Sequence, residues 1–369
     1  MPDERKTRRP GPSEEREVAP VLFITGHVPA SRSGAFTALG QRLPIELALY
    51  GGPHQHGAPP GPPPAAVPVH QVTQREIGPL VASGDYRAVI AGTGGRVALP
   101  LAWLAARRSA TPFIFWAALW RTPRVAAHLA ATPLMRQIYR EAAAIVTYGP
   151  HVSAYVAAQG ATRIYIAPQA VDNAFWSTAV DVPQNESFSA LFVGRAERAK
   201  GLAVLLDAWR RSGIGAGGGS LTLVGEQSAD GPGVRSAGQL DPAALRNFYA
   251  SADVLVVPSI PTRLFTEPWG LVVNEAMNQR CAVIATDAVG AAAGGLVQHE
   301  RNGLIVPARS PAALADALAE LARDRERCAA FGRNGAADVA GYTYSAWADA
   351  FVKAVEDVCA ERNAGSVAL

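Results

Sequence analysis

A chain of 369 residues, 49% hydrophobic and 18% charged, is long enough for two globular cores, since single cores stop growing near roughly 250–300 residues. Its net charge is only +3 and its basic residues are scattered, which argues against a nucleic-acid partner recognised through a basic footprint. Three widely spaced cysteines, Cys281, Cys328 and Cys359, form neither a C-x-x-C pair nor a Cys/His cluster; this argues against a disulfide framework and structural zinc, and a reducing cytoplasm is expected.

Residues 1–19 are charged and Pro-containing without an apolar stretch, so they read as a disordered tail rather than a signal peptide or spanning helix. From Val21 onward, short apolar runs alternate with helical periodicity: "VLFITG", "YRAVIAGTGG", "PFIFWAAL", "AAIVTYG" and "RIYIAPQAV". Near-continuous apolar strands between helices imply a parallel sheet covered on both faces, here over residues 20–171. A Pro-rich stretch at 51–70 interrupts it and is expected to be a surface loop. Residues 172–188 read as a linker, after which "ALFVGRA", "LTLVGEQ", "VLVVPS", "AVIATDAV" and "GLIVPA" predict a second α/β domain over 189–343. Residues 344–369 are predicted to form a helix that can cross back to the first domain. Two Rossmann-like, doubly wound parallel-sheet domains therefore face each other, and ligands are expected in the cleft at the carboxyl ends of their strands.

Two motifs in the second domain carry chemistry. In "LFVGRAERAKGLAVLLDAW" a strand ends at a glycine, and Arg195 and Lys200 flank the start of a helix. Cations and free helical N–H groups at a strand end suit an anion with several oxygens, such as a diphosphate; solvated surface charges are the competing reading. In "FTEPWGLVVNEAM", Pro268 keeps Glu267 out of the helix, Gly270 permits a tight turn, and the helix is predicted to begin near Leu271. Glu275, about one turn in, is expected to face the cleft, where a carboxylate can accept protons from vicinal hydroxyls. A metal site and a glycosidase-type acid/base pair are the alternatives.

The combination of "GRAERAKG", "YASADVLVVPS", "EPWGLVVNEAM" and "NGLIVP", over about 186–345, resembles glycosyltransferase family four, retaining nucleotide-sugar transferases of the GT-B fold. The resemblance implies that Arg195 and Lys200 hold the donor diphosphate, that the backbone N–H groups of Gly270, Leu271 and Val272 cap it, and that Glu275 binds the ribose. It also implies that Glu267 lies at the anomeric centre, that Gly225 and Glu226 frame the base, and that no metal is needed; no D-x-D triplet occurs. The first domain resembles the family less. The usual glycine pair after the first strand is Ser33-Gly34, with Gly34 still able to approach phosphate or acceptor, and the usual histidine turn reads "FWAALW". Trp116, Trp120, His128 and Arg121 are candidates to replace that histidine; packing aromatics and helix-surface or helix-start histidines, His151 included, are the plainer readings. The acceptor-side candidates are thus Ser33, Trp116, Trp120 and Arg121.

The expected activity is transfer of a sugar from a UDP- or GDP-linked donor to a small natural-product acceptor or a cell-envelope glycan or lipid, with retained configuration and no cofactor. A nucleotide-sugar epimerase and a non-catalytic nucleotide-sugar sensor are the alternatives. Arg121, Arg124, Arg136 and Arg140 with Leu129, Leu134 and Ile138 could form an amphipathic helix touching an anionic membrane, although ordinary solvated helix charges are the favoured reading. The base, the sugar, the acceptor and the oligomeric state are left open.

Overall fold

The computed structural model describes residues 19–51, 64–183, 185–225 and 229–367; the tail before residue 19, most of the Pro-rich stretch and Glu226 lie outside them. Seven strands form the first sheet: β1 (Val21–Thr25), β2 (Ile45–Leu49), β3 (Val69–Gln71), β4 (Ala88–Gly92), β5 (Phe113–Ala117), β6 (Ala144–Thr147) and β7 (Ile164–Ile166). All pair in parallel, in the order β3-β2-β1-β4-β5-β6-β7. The second sheet holds six parallel strands, β8 (Ser189–Val193), β9 (Ser220–Val224), β10 (Val234–Gly238), β11 (Val254–Val257), β12 (Ala282–Thr286) and β13 (Gly303–Val306), ordered β10-β9-β8-β11-β12-β13.

Alternation along β1 shows why both faces are covered. Val21 and Phe23 enter one core, Leu22 and Ile24 the other, and all four are buried, as the two-residue period of a strand requires. Three strands lack the continuous apolar run by which the others are recognised in sequence. β2 carries Glu46, which bonds His70 of β3 at 2.9 Å and the Tyr86 hydroxyl at 3.3 Å. β3 lies at one edge of its sheet, and β10, with its exposed Arg235, lies at the edge of the other; edge strands tolerate charge and polarity. β10 occupies the "VRSAG" segment, and no helix is described in the connection from β9.

The helix Tyr344–Val367 packs on the first sheet. Trp347, Phe351, Ala354, Val355 and Val358 lie along one helical stripe, and all are buried. They complete an aromatic core in which Phe351 lies 5.3 Å from Phe23 and 4.5 Å from Trp347, measured between ring centroids. The basic helix expected near 121–140 begins only at Ala126, so Arg121 and Arg124 precede it. Its Ile138 is in the core, whereas Leu129 (56%) and Leu134 (37%) are exposed. Among the described residues no helix is long and apolar enough to cross a membrane.

Candidate functional site

A cleft of about 960 Å³ lies between the two sheets. Its walls include Thr25, Gly92 and Trp116 from the carboxyl ends of β1, β4 and β5, and Val193, Val224 and Val257 from those of β8, β9 and β11. Both strand orders reverse here, between β1 and β4 and between β8 and β11, so helices on opposite faces leave each sheet a crevice that ligands can enter.

On the second domain, β8 leads through Gly194 to Arg195 and a single 3-10 turn, Arg198–Lys200. Lys200 and Arg195 both line the cleft. Arg195 pairs with Glu197 at 2.9 Å, and both side chains are nearly half exposed, so this is a weak pair that an incoming anion can exchange. Lys200 is different: its Nζ lies 2.5 Å from Oε2 of Glu267, with side-chain exposures of 20% and 9%. Water screens this pair little, and removing either partner would strand a charge.

The turn after Glu267 is tightly specified. Gly270 has φ of +93°, a left-handed conformation that favours glycine, and the helix Val272–Asn278 follows with Leu271 as its N-cap. The first backbone bond runs from Val273 N–H to the Gly270 carbonyl at 3.0 Å, so the N–H groups at 270, 271 and 272 have no backbone acceptor among the described residues. All three residues line the cleft.

Side chains of the first domain grip this turn. Trp120 donates its indole N–H to the Glu267 carbonyl at 3.1 Å, and His151 donates from Nε2 to the Pro268 carbonyl, also at 3.1 Å. A carbonyl can only accept, which fixes the proton on Nε2 and leaves Nδ1 buried without a partner among the described residues. Burial lowers the His151 pKa, against the smaller opposing effect of the Pro268 bond, so the ring is neutral near pH 7. The ring lies 5.2 Å from that of Trp120 and 6.0 Å from that of Trp269. His151 is indeed a helix-start residue, in Pro150–Ala158, yet it also contacts the other domain.

Several positions differ from their sequence-based expectation. Glu275 is not among the cleft-lining residues; it is partly buried and accepts a bond from the Tyr249 hydroxyl at 2.8 Å. Tyr249 comes from the helix Pro242–Ser251, whose identity as a neighbour no local pattern reveals. Burial pushes the Glu275 carboxyl up to about 7, with the Tyr249 bond working in the opposite direction. Ser33 and Gly34 do not line the cleft either: a Cβ on Gly34 would lie 2.3 Å from the Tyr344 ring, so this glycine accommodates the C-terminal helix. The cleft residues of that segment are Pro29, Ser31, Arg32 and Phe36. Trp116 is both a core aromatic and a cleft wall, whereas Arg121 is exposed, with its guanidinium 5.2 Å from the Trp120 ring centroid. His128 is exposed, and Gly225 lines the cleft. Among the described residues there is no cluster of three or more His, Cys, Asp or Glu side chains able to hold a metal ion.

The family described as glycosyl transferases group 1 matches residues 187–324. The D-inositol 3-phosphate glycosyltransferase of Kineococcus radiotolerans is 32% identical over 247 residues, covering 55% of this chain and 54% of the relative. The chain thus aligns with about half the length of that relative, and with 43% of one from Corynebacterium jeikeium bearing the same description. Among solved structures, HepE from Anabaena in complex with UDP and glucose superposes with a TM-score of 0.66 at 15% identity, covering 95% of this chain and 100% of that one. Sucrose-phosphate synthase from Thermosynechococcus elongatus gives 0.67 at 19%, over 93% and 100%. At these identities the likeness is one of fold: two Rossmann-like domains in the GT-B arrangement.

Proposed function

We propose, from the match of residues 187–324 to the glycosyl transferases group 1 family, that the protein transfers a sugar from a nucleoside diphosphate donor to an acceptor, retaining the anomeric configuration. The observation that carries this reading is the Lys200–Glu267 ion pair on the cleft wall, next to the three N–H groups at 270–272. Those groups and Arg195 would stabilise the charge that develops on the departing diphosphate, the work of preorganised donors in a site sheltered from water. Glu267 would lie beside the transferred sugar. Glu275, held through one carboxylate oxygen by Tyr249, would accept from the ribose hydroxyls with the other. No metal and no separate cofactor enter the scheme: the leaving group takes the acceptor proton on the face from which it departs.

UDP is the nucleotide named in the HepE complex, which supports a UDP-sugar as the first donor to try, with GDP-sugars next. The D-inositol 3-phosphate glycosyltransferase relatives support a phosphorylated polyol as the first acceptor, ahead of natural-product or envelope glycan and lipid acceptors. A cytoplasmic location belongs to the same reading. The test is incubation of purified protein with UDP- and GDP-sugars, with and without acceptor, followed by nucleotide release and proton NMR of the new anomeric signal. Acceptor-dependent release with the donor's anomeric configuration is expected. Donor converted without acceptor would point to an epimerase, and stoichiometric binding without turnover to a sensor; either would overturn the proposal.

A further inference from the structure

Arg32 stands apart from the other two cations considered in the cleft. Arg195 and Lys200 each face a carboxylate, whereas Arg32 takes part in no ion pair among the described residues. Its partners are neutral: one terminal nitrogen, Nη2, donates to Oη of Tyr148 at 3.0 Å and to Oε1 of Gln169 at 2.6 Å. Its Cζ lies 4.7 Å from the Trp116 ring centroid and 5.2 Å from that of Tyr148. Aromatic faces and two bonds fix the fork without neutralising it, and Nε and the second terminal nitrogen have no protein acceptor among the described residues. An independent donor stands beside it: the indole N–H of Trp116, a cleft-lining residue 5% exposed, is buried with no partner among the described residues. A held guanidinium with spare donors, next to a buried indole N–H with no protein partner among the described residues, leaves hydrogen-bonding capacity that an anion entering the cleft can take up.

We propose that Arg32 is an anion-binding residue of the first domain that takes a phosphoryl group in the cleft, opposite the cations of the second domain. The inference rests on the nucleotide-sugar reading only for the source of that group, which is either the donor diphosphate or a phosphate on the acceptor. Planar, bidentate pairing with phosphoryl oxygens is what a preoriented guanidinium offers and an ammonium does not. The gripping of one phosphoryl group from both domains would also favour a closed cleft.

The test compares wild type, Arg32→Gln and Arg32→Lys in calorimetric titrations with UDP, GDP, uridine, guanosine and inorganic pyrophosphate, and in turnover with a phosphorylated polyol and its unphosphorylated counterpart. Loss of a charge-assisted contact should weaken its phosphate ligand about ten- to a hundredfold in Arg32→Gln, with partial recovery in Arg32→Lys. If the source is the donor, affinity for the nucleoside diphosphate falls while that for the nucleoside holds. If it is the acceptor, diphosphate affinity holds and KM rises for the phosphorylated acceptor alone. Changes below twofold throughout, or equal losses for nucleoside and diphosphate, would overturn the assignment and leave Arg32 a packing residue. Wild type that binds neither nucleotide would refute the donor reading instead; equal affinity of wild type and Arg32→Gln for pyrophosphate and for the phosphorylated polyol would then refute the Arg32 assignment separately.

Discussion

At the scale of single residues, Lys200 pairs with Glu267, and under the proposed function a diphosphate would compete for the same ammonium. Lys200→Met should therefore weaken UDP binding about ten- to a hundredfold, whereas Glu267→Gln should lower kcat sharply while nucleotide affinity holds or rises, because the freed ammonium loses its competitor. Calorimetry of both variants beside their turnover separates these outcomes; parallel losses of affinity would count against a shared lysine. Glu275 makes a prediction about pH. Its folded pKa of about 7 lies above the ordinary carboxylate value, so the folded state binds the extra proton between roughly pH 4.5 and 7 and loses stability as pH rises through that window. Compared with Glu275→Gln, wild type should thus lose about 1–3 kcal/mol between pH 5 and 8 in denaturant unfolding. Ribose hydroxyls favour the ionised form, so nucleotide affinity should rise over the same interval, and a flat difference between the two proteins would remove the basis for this role.

At the scale of elements, the turn at 267–270 is set by its neighbours as much as by its own sequence. Glycine at 290 permits the close approach, since a Cβ there would lie 1.8 Å from the Pro268 carbonyl oxygen. Trp120 and His151 hold the opposite side from the first domain. Trp120→Phe keeps an aromatic ring and removes one donor, leaving the Glu267 carbonyl, among the described residues, only its bond from Gly290 N–H at 3.1 Å. The expected result is a kcat reduced about three- to tenfold, with UDP affinity unchanged because Trp120 makes none of the proposed nucleotide contacts. Hydrogen exchange of the 269–272 amides should quicken in the variant; unchanged exchange and unchanged kcat would show that the bond is idle. Pro268 and Gly270 make the turn legible in sequence, but a partner 147 residues away was not.

At the scale of the molecule, the C-terminal helix makes the first domain depend on the end of the chain. Trp347 packs against Phe36 at 5.3 Å and Trp116 at 5.8 Å between centroids, so Trp347→Ala should cost about 3–5 kcal/mol of stability. Because Trp116 and Arg32 are cleft residues supported by the same cluster, the cleft of this variant should loosen as well, and UDP should raise its melting temperature less than that of wild type. Equal thermal shifts in the two proteins would show that the helix supports the core without shaping the cleft.

By itself the sequence determined what is periodic or local: the apolar strands that alternate with helices, the Gly194 turn that carries Arg195, and the Pro268–Gly270 break that opens a helix after Glu267. These depend on a strand's two-residue period, a helix's 3.6, and the backbone limits of proline and glycine, all encoded within a few residues. Only the tertiary structure decided which side chains meet. Lys200 meets Glu267 across 67 positions, Arg32 meets Tyr148 and Gln169 across 116 and 137, and Glu275 meets Tyr249 across 26. Those meetings follow from strand order, domain facing and the returning C-terminal helix. Local preference does not specify them, because each is settled by which surfaces can be buried together.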